Sequence, residues 1–276
     1  MKPPRFDYER VEGVEAALAR LAELGDDARV LAGGQSLVPM LNMRVAAPQV
    51  LLDIGRVAAL GGIAERPGAL VVGATCRQAE LERWPGLAAR VPLLALALPA
   101  IGHYQTRARG TVGGSIVHAD PSAELPLVAA VLAAEVGLRS HAGERRVAAR
   151  EFFKGALETA RTDEELLTEV VFPLAIPGGG YAFEEVAMRH GDFAIVAVAA
   201  LARPGGLVLG AAGLADAPVV REWPHIEGDA LADALAELGR EVEVLSDQHA
   251  SASYRRMLLA TLGTRVAARA RAGAAG

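Results

Sequence analysis

Cysteine is nearly absent from this 276-residue sequence; Cys76 is the only one. A single thiol closes no internal disulfide, and a thiolate metal site or iron–sulfur cage needs several. Any metal cluster that works with this chain is therefore expected elsewhere. Long apolar runs are missing as well. "LLALALPAIGHY" comes closest, but Pro99, Gly102 and His103 break it well short of the span a bilayer requires. The start, "MKPPRFDYERVEG", has no basic segment followed by an apolar one and a cleavage site, so it does not read as a signal peptide. These absences give the expectation of a cytoplasmic protein with no membrane span. Aromatics are 4% of residues, which leaves no stacking platform for single-stranded nucleic acid, and a net charge of −5 opposes non-specific binding to phosphate backbones. Lysine is confined to Lys2 and Lys154. No zinc-protease helix, nucleophile elbow or Walker lysine occurs, so neither a metal site nor a catalytic constellation is expected.

What the chain does have is apolar content, 52% of residues, enough for a sizeable core in one large domain or two smaller ones. Val14, Ala17, Leu18 and Leu21 recur at helical spacing, and Gly25 can end that helix. "ARVLAGG", "QVLLDIG" and "ALVVGAT" read as strands, giving a β-α-β opening without the G-x-G-x-x-G turn of a dinucleotide fold. "SLVPMLNMRVAAP" is a loop or short helix. Residues 76–102 read as mostly helical, and "AELPLVAAVLAAE" as a helix with Pro126 near its first turn. "VGLRS" and "ERRVAA" can pair as a hairpin, and "ELLTEVVFPL" is a strand. Pro177, Gly178, Gly179 and Gly180 form the strongest linker signal in the chain. Beyond it, "YAFEEVAM" alternates as a strand, "DFAIVAVAALA" fits a buried strand or a buried helix, and two helices close the sequence.

Two short stretches resemble each other. "VLAGGQSL" and "GTVGGSIVHADPSAELP" each carry a glycine pair followed by a small hydroxyl or amide. A glycine pair after a strand bares backbone N–H groups with no side chain to fend off a ligand, and such nests suit phosphate oxygens. Ser36 and Gln35 add donors to the first, Thr111 and Ser115 to the second. Two nests could bracket a pyrophosphate; alternatively, both are simply tight turns. Glu124 is either an acid that contacts a nucleotide or a helix N-terminal charge, and Asp120 is the better candidate for the cap. His103 and His118 have no partner at metal-ligand spacing. Cys76 suits a small buried residue, and "RHGDFAIVAVAA" opens with an ordinary polar turn or a ligand edge.

"AGGQSL", "IGHYQTRARGTVGGSIVHADPSAELP" and "RHGDFAIVAVAA", in that order, resemble the FAD-binding medium subunit of the molybdenum hydroxylases, the group of aerobic carbon monoxide dehydrogenase and xanthine dehydrogenase. The likeness covers nearly the whole chain. It implies an α+β fold: a two-part FAD-binding domain of the vanillyl-alcohol-oxidase (PCMH) type over residues 1–175, divided near residue 55, then a smaller α+β domain over 176–276. It implies non-covalent FAD, held near its pyrophosphate by Ala32, Gly33, Gly34, Gln35, Ser36 and Leu37 and by Thr111, Val112, Gly113, Gly114 and Ser115. Glu124 falls where the family places an acid on the nucleotide, Ile101 near the flavin ring, and Leu166 on a strand that approaches it. Gln35 stands where many relatives have His, Ser115 where Asn is common, and Glu184 and Glu185 near a position where some carry Lys. Acids there cannot donate to a flavin carbonyl while ionised. The partners implied are a molybdopterin-binding large subunit and a small subunit with [2Fe-2S] clusters, the acceptor being NAD, a quinone or oxygen. The residues alone leave two other readings open: a self-contained flavin oxidase with its own base and a covalent flavin link, or a flavin-free scaffold.

Overall fold

The computed structural model describes residues 2–274 and arranges them around three sheets. The first is small and parallel. β1 (Asp7–Arg10), α1 (Val14–Leu24), β2 (Ala28–Leu31), α2 (Leu37–Asn42) and β3 (Val50–Asp53) place the strands in the order β1-β3-β2. The central β3 buries Val50, Leu51 and Leu52, and α1 covers the sheet with Ala17, Leu18 and Leu21, the stripe set by its helical spacing.

The second sheet is antiparallel. β4 (Ile63–Arg66) and β5 (Ala69–Gly73) form its first hairpin, and a helical run follows: α3 (Gln78–Glu82), α4 (Leu87–Arg90), α5 (Pro92–Ala97), α6 (Tyr104–Arg107), α7 (Val112–His118) and α8 (Glu124–Val131). The chain returns through β6 (Glu135–Ser140), β7 (Gly143–Ala148), α9 (Ala149–Phe152) and the short pair β8 (Phe153–Gly155) and β9 (Glu158–Thr159) to β10 (Leu166–Pro173). The strand order is β4-β5-β10-β6-β7, so the last strand enters at the centre.

After Pro177 and its glycines, β11 (Gly180–Ala187), β12 (Ala194–Arg203), β13 (Gly206–Ala212) and β14 (Val219–Trp223) build an antiparallel meander, covered by α10 (Gly228–Glu241) and α11 (Ala252–Ala274). β12 is the strand whose period was ambiguous. Its run from Ala194 to Ala202 is buried throughout because both faces of the sheet are covered. Val196, Val198 and Ala200 face the α10–α11 side, while Ala197 and Ala199 share a core with Leu125, Leu127 and Val128 of α8.

That second face joins the halves of the chain. α8 lies across small residues, among them Ala197, Ala199, Gly210 and Ala212. A Cβ on Gly210 would sit 2.5 Å from Val131 Cγ2 and 3.0 Å from Leu127 Cδ1, so these two side chains of α8 rest on the strand backbone. The Pro-Gly segment is therefore a covalent junction between parts with a common core. Gly210→Ala should destabilise the chain by about 1–3 kcal/mol through overpacking, although alanine suits a strand better than glycine; urea denaturation of the purified protein measures it.

Candidate functional site

β2 ends at Leu31 and the chain turns through Gly33 and Gly34 into α2. The backbone N–H groups of residues 33–37 make no hydrogen bond among the described residues. Ser36 occupies the N-cap of α2 but its hydroxyl caps nothing, and Gln35 bends its amide back to the Gly33 carbonyl at 3.3 Å. Five successive free donors on a partly accessible turn leave the chain with a row of N–H groups of the chemistry an anion needs.

The second glycine pair is built differently. Sequence reading places it in a loop; here Gly113 and Gly114 lie in the first turn of α7, and Thr111 is its N-cap. Its amides are already engaged. Val112 donates to the Cys76 carbonyl at 3.0 Å, Gly113 to the Ala74 carbonyl at 3.0 Å, Gly114 to Thr111 Oγ1 at 3.0 Å, and Ser115 to the Thr111 carbonyl at 3.1 Å. Gly113 is required because a Cβ would meet Ala74 Cα at 2.7 Å. These glycines fasten α7 to the end of β5. What they leave free for a ligand is the exposed Gly114 edge and the half-buried Ser115 hydroxyl. The two loops that look alike in sequence are thus an open nest and a docked helix start.

They meet directly. A Cβ on Gly33 would collide with the Arg109 carbonyl and lie 2.9 Å from Gly110 Cα, so only glycine lets the first turn reach the strand-like stretch before Thr111. Arg77, which pairs with Thr111 in an isolated antiparallel bridge, also donates from its guanidinium to the Arg109 carbonyl. The third motif closes on the same region. The turn over residues 188–193 brings Gly191 against Gly102 and His103, with the His103 and His190 rings 6.3 Å apart.

Ile101 is buried, and the turn that carries it is held by Arg107. That guanidinium donates to the Ile101 and Gly102 carbonyls at 2.9 and 3.0 Å and pairs with Glu82 at 2.8 Å. Sequence reading passed over Arg107, which no local pattern in "YQTRARG" singles out. Leu166 lies under the first sheet, in the core with Leu18, Leu52 and Leu60, against which Val30 and Ala32 pack. Asp120 does not cap α8. Its Oδ1 accepts from the Ser122 N–H at 2.8 Å, and the N-cap is Ala123, which has no side-chain oxygen to offer. Glu124 begins α8 and is buried at 7% exposure, and burial together with the nearby Glu185 and Asp120 charges raises its pKa to about 8. Glu184 and Glu185, taken together in the sequence, face opposite ways. Glu184 pairs with Arg265 and Arg269 of α11 at 2.5 and 2.7 Å, whereas Glu185 points to the α8 side. Cys76 is buried, and burial pushes its thiol up to about 12, where no thiolate forms near neutrality. Among the described residues there is no cluster of three or more metal-ligating side chains, and no helix is long and apolar enough to cross a membrane.

Residues 4–175 match the family described as the FAD binding domain in molybdopterin dehydrogenase. The chain belongs to the FAD-binding medium subunits of the molybdenum hydroxylases. Among members of this family, it is 43% identical over 201 residues to the 6-hydroxypseudooxynicotine dehydrogenase complex subunit alpha of Paenarthrobacter nicotinovorans, covering 73% of this chain and 68% of that one. It is 34% identical over 284 residues to the carbon monoxide dehydrogenase medium chain of Afipia carboxidovorans, covering 99% of both. The fold superposes on carbon monoxide dehydrogenase from Hydrogenophaga pseudoflava with a TM-score of 0.94 at 32% identity, over 99% of each chain. Quinoline 2-oxidoreductase from Pseudomonas putida 86 gives 0.91 at 33%, also over 99% of each. This medium subunit is thus an oxidoreductase subunit with an α+β FAD-binding fold.

Thr111→Val keeps the β-branched shape and removes the cap, so it should cost about 0.5–2 kcal/mol of stability with little change in overall fold. Thermal unfolding followed by circular dichroism reads it, and Thr111→Ser should recover most of the loss.

Proposed function

We propose that this chain holds FAD non-covalently at the meeting point of residues 33–37 and 110–115 and works as the electron-transfer subunit of a three-part molybdenum hydroxylase. The observation that carries the reading is the row of five unpaired backbone donors, pressed by Gly33 against the approach to Thr111. A dinucleotide pyrophosphate is an anion that needs such donors, and the neutral N–H groups of a turn supply them without the desolvation cost of a buried cation. In this reading Ala32, Gly33, Gly34, Gln35, Ser36 and Leu37 take the phosphates from one side, and Thr111, Gly114 and Ser115 from the other. Val112 and Gly113 act through the chain itself, by fixing α7 to β5. Glu124 and Ile101 border the rest of the cofactor, and Leu166 supports β10 from the core.

FAD, when bound, supplies the redox chemistry by taking up electrons singly or in pairs. The chain binds it, orients it and sets its electrostatic surroundings. Molybdopterin and the [2Fe-2S] clusters belong to a large and a small partner subunit, and the electrons pass on to NAD, a quinone or oxygen. The lone buried cysteine agrees with clusters carried elsewhere, and the names of the relatives, subunits and medium chains of dehydrogenases, agree with a multi-chain assembly. The same reading divides the chain into a PCMH-type FAD domain over 1–175, itself split near residue 55, and a C-terminal domain over 176–276. A soluble cytoplasmic complex completes it.

Purification tests the reading directly. The wild-type chain should be yellow or take up added FAD, and acid should release the flavin into the supernatant. Gly33→Ala should hold roughly a tenth of the wild-type flavin or less, because one methyl group forces the two loops apart. A colourless protein that ignores added FAD defeats the proposal, and flavin mass retained on the denatured chain would point instead to a self-contained oxidase.

A further inference from the structure

The free donors of residues 33–37 and the turn at 109–111 form a cradle with a seam between them, and one side chain crosses that seam. It belongs to Arg77, at the start of α3. Its backbone is fixed on both sides. The Cys76 carbonyl accepts from the Val112 N–H at 3.0 Å, the Gln78 N–H donates to the Gly110 carbonyl at 3.0 Å, and Arg77 pairs with Thr111 between them. The Arg77 N–H donates to Glu80 Oε2 at 3.0 Å, so the nearest acid in sequence is turned to the main chain. The guanidinium then reaches across. Nη1 donates to the Arg109 carbonyl, the oxygen that a Cβ on Gly33 would strike. Nη2 lies 3.8 Å from the point a Cβ on Gly55 would occupy, and the Ala32 carbonyl oxygen lies 3.3 Å from that same point. One planar fork therefore sits among the carbonyls of Ala32 and Arg109, the residues just before Gly33 and Gly110.

No carboxylate neutralises it. Among the neighbouring arginines, Arg107 pairs with Glu82 at 2.8 Å and Arg10 with Asp53 at 3.9 Å. Asp53, the acid beside Gly55, accepts from the Gly55 N–H at 2.8 Å and from the Tyr8 hydroxyl. Arg77 forms no ion pair among the described residues, and it is half-buried, so solvent screens its charge only in part. Carbonyl oxygens at the mouth of an anion site oppose the anion; a guanidinium laid over them cancels their negative ends. What then faces outward is the row of N–H groups.

We propose that Arg77 is the positioning residue of the cradle: its guanidinium spans the turns at Ala32 and Arg109 and masks their carbonyls, so that an anionic cofactor meets N–H groups in a positive field. The role rests on the FAD reading above, the anion being the cofactor's pyrophosphate. Arg77 acts through the two turns, and the phosphates themselves stay with the backbone donors.

Two variants of the full-length chain separate this role from packing. Arg77→Gln keeps a hydrogen-bond donor and loses the charge, whereas Arg77→Lys keeps the charge and loses the fork. The Kd for FAD, from flavin fluorescence, should rise about tenfold in Arg77→Gln and about threefold in Arg77→Lys. Raising salt from about 50 to about 500 mM should weaken FAD binding to wild type and to Arg77→Lys more than to Arg77→Gln. Inorganic pyrophosphate, without flavin, should raise the Tm of wild type and leave that of Arg77→Gln unchanged. An Arg77→Gln chain with wild-type salt dependence, or one that pyrophosphate stabilises as much as wild type, overturns the role, whatever its own Tm. A wild-type Tm that ignores pyrophosphate overturns it too. If Arg77→Gln does not fold, Arg77→Lys decides, and an FAD Kd equal to wild type defeats the bridging fork. If no chain takes up FAD in any of these conditions, the functional reading falls, and the pyrophosphate series alone still decides whether Arg77 serves an anion.

Discussion

The structure depends on backbone meeting backbone with no side chain between. Gly33 lies against residues 109–111, Gly113 against Ala74 and Gly191 against Gly102, while at Gly210 the Val131 and Leu127 side chains of α8 come down onto the strand backbone. Each contact joins elements distant in sequence, and each would be pried open by a single methyl group. Three of them converge on the region where the glycine motifs meet. Close approach also dictates what the surrounding residues can be. On the face of the third sheet that shares a core with α8, Ala197, Ala199, Gly210 and Ala212 make room for the helix, with Leu201 and Val208 on the same face.

Around these contacts the polar work falls to arginine. Arg107 fixes the Ile101 turn through two carbonyls and Glu82, Arg77 reaches the Arg109 carbonyl, and Arg255 donates to the Ile195 and Gly213 carbonyls while pairing with Asp247 at 2.5 Å. A guanidinium can serve several acceptors at once from a rigid fork, which suits a turn whose carbonyls point inward. The positive charge is thereby spent on structure. The cradle at residues 33–37 uses neutral backbone dipoles, and the acids on the other side of the region, Glu124 and Glu185, meet no cation at all.

Most elements were legible in the sequence. Helical spacing marked α1, α10 and α11, alternation marked β11, and the order of three motifs carried the family. What was not legible depended on tertiary partners. "TVGGS" read as a loop because two glycines oppose helix formation, yet Thr111 capping and the anchoring of Gly113 on Ala74 override that propensity. "DFAIVAVAALA" had no period to show, since layers on both faces make every position apolar. Asp120 was read as a cap on residue type alone, but it turns its carboxylate to Ser122 instead. Glu184 and Glu185 could be separated only once β11 had α11 on one side and α5 on the other. Arg107 was missed because nothing local to it shows which carbonyls it will hold.

Arg255 carries a consequence for the order of assembly. It sits near the start of α11, the last helix described, and its guanidinium closes the open end of the β12–β13 hairpin at the Gly213 carbonyl. The N–H of that same glycine holds Pro121, in the turn that sets Glu124. A segment emerging from the ribosome up to residue 175 would contain Gly33, residues 109–111, Gly113 and Ala74, yet lack Gly191 and the clamp on the turn before α8. The cradle can form early, but the acid end of the region waits for sequence more than 130 residues downstream of Pro121, from Pro121 to Arg255.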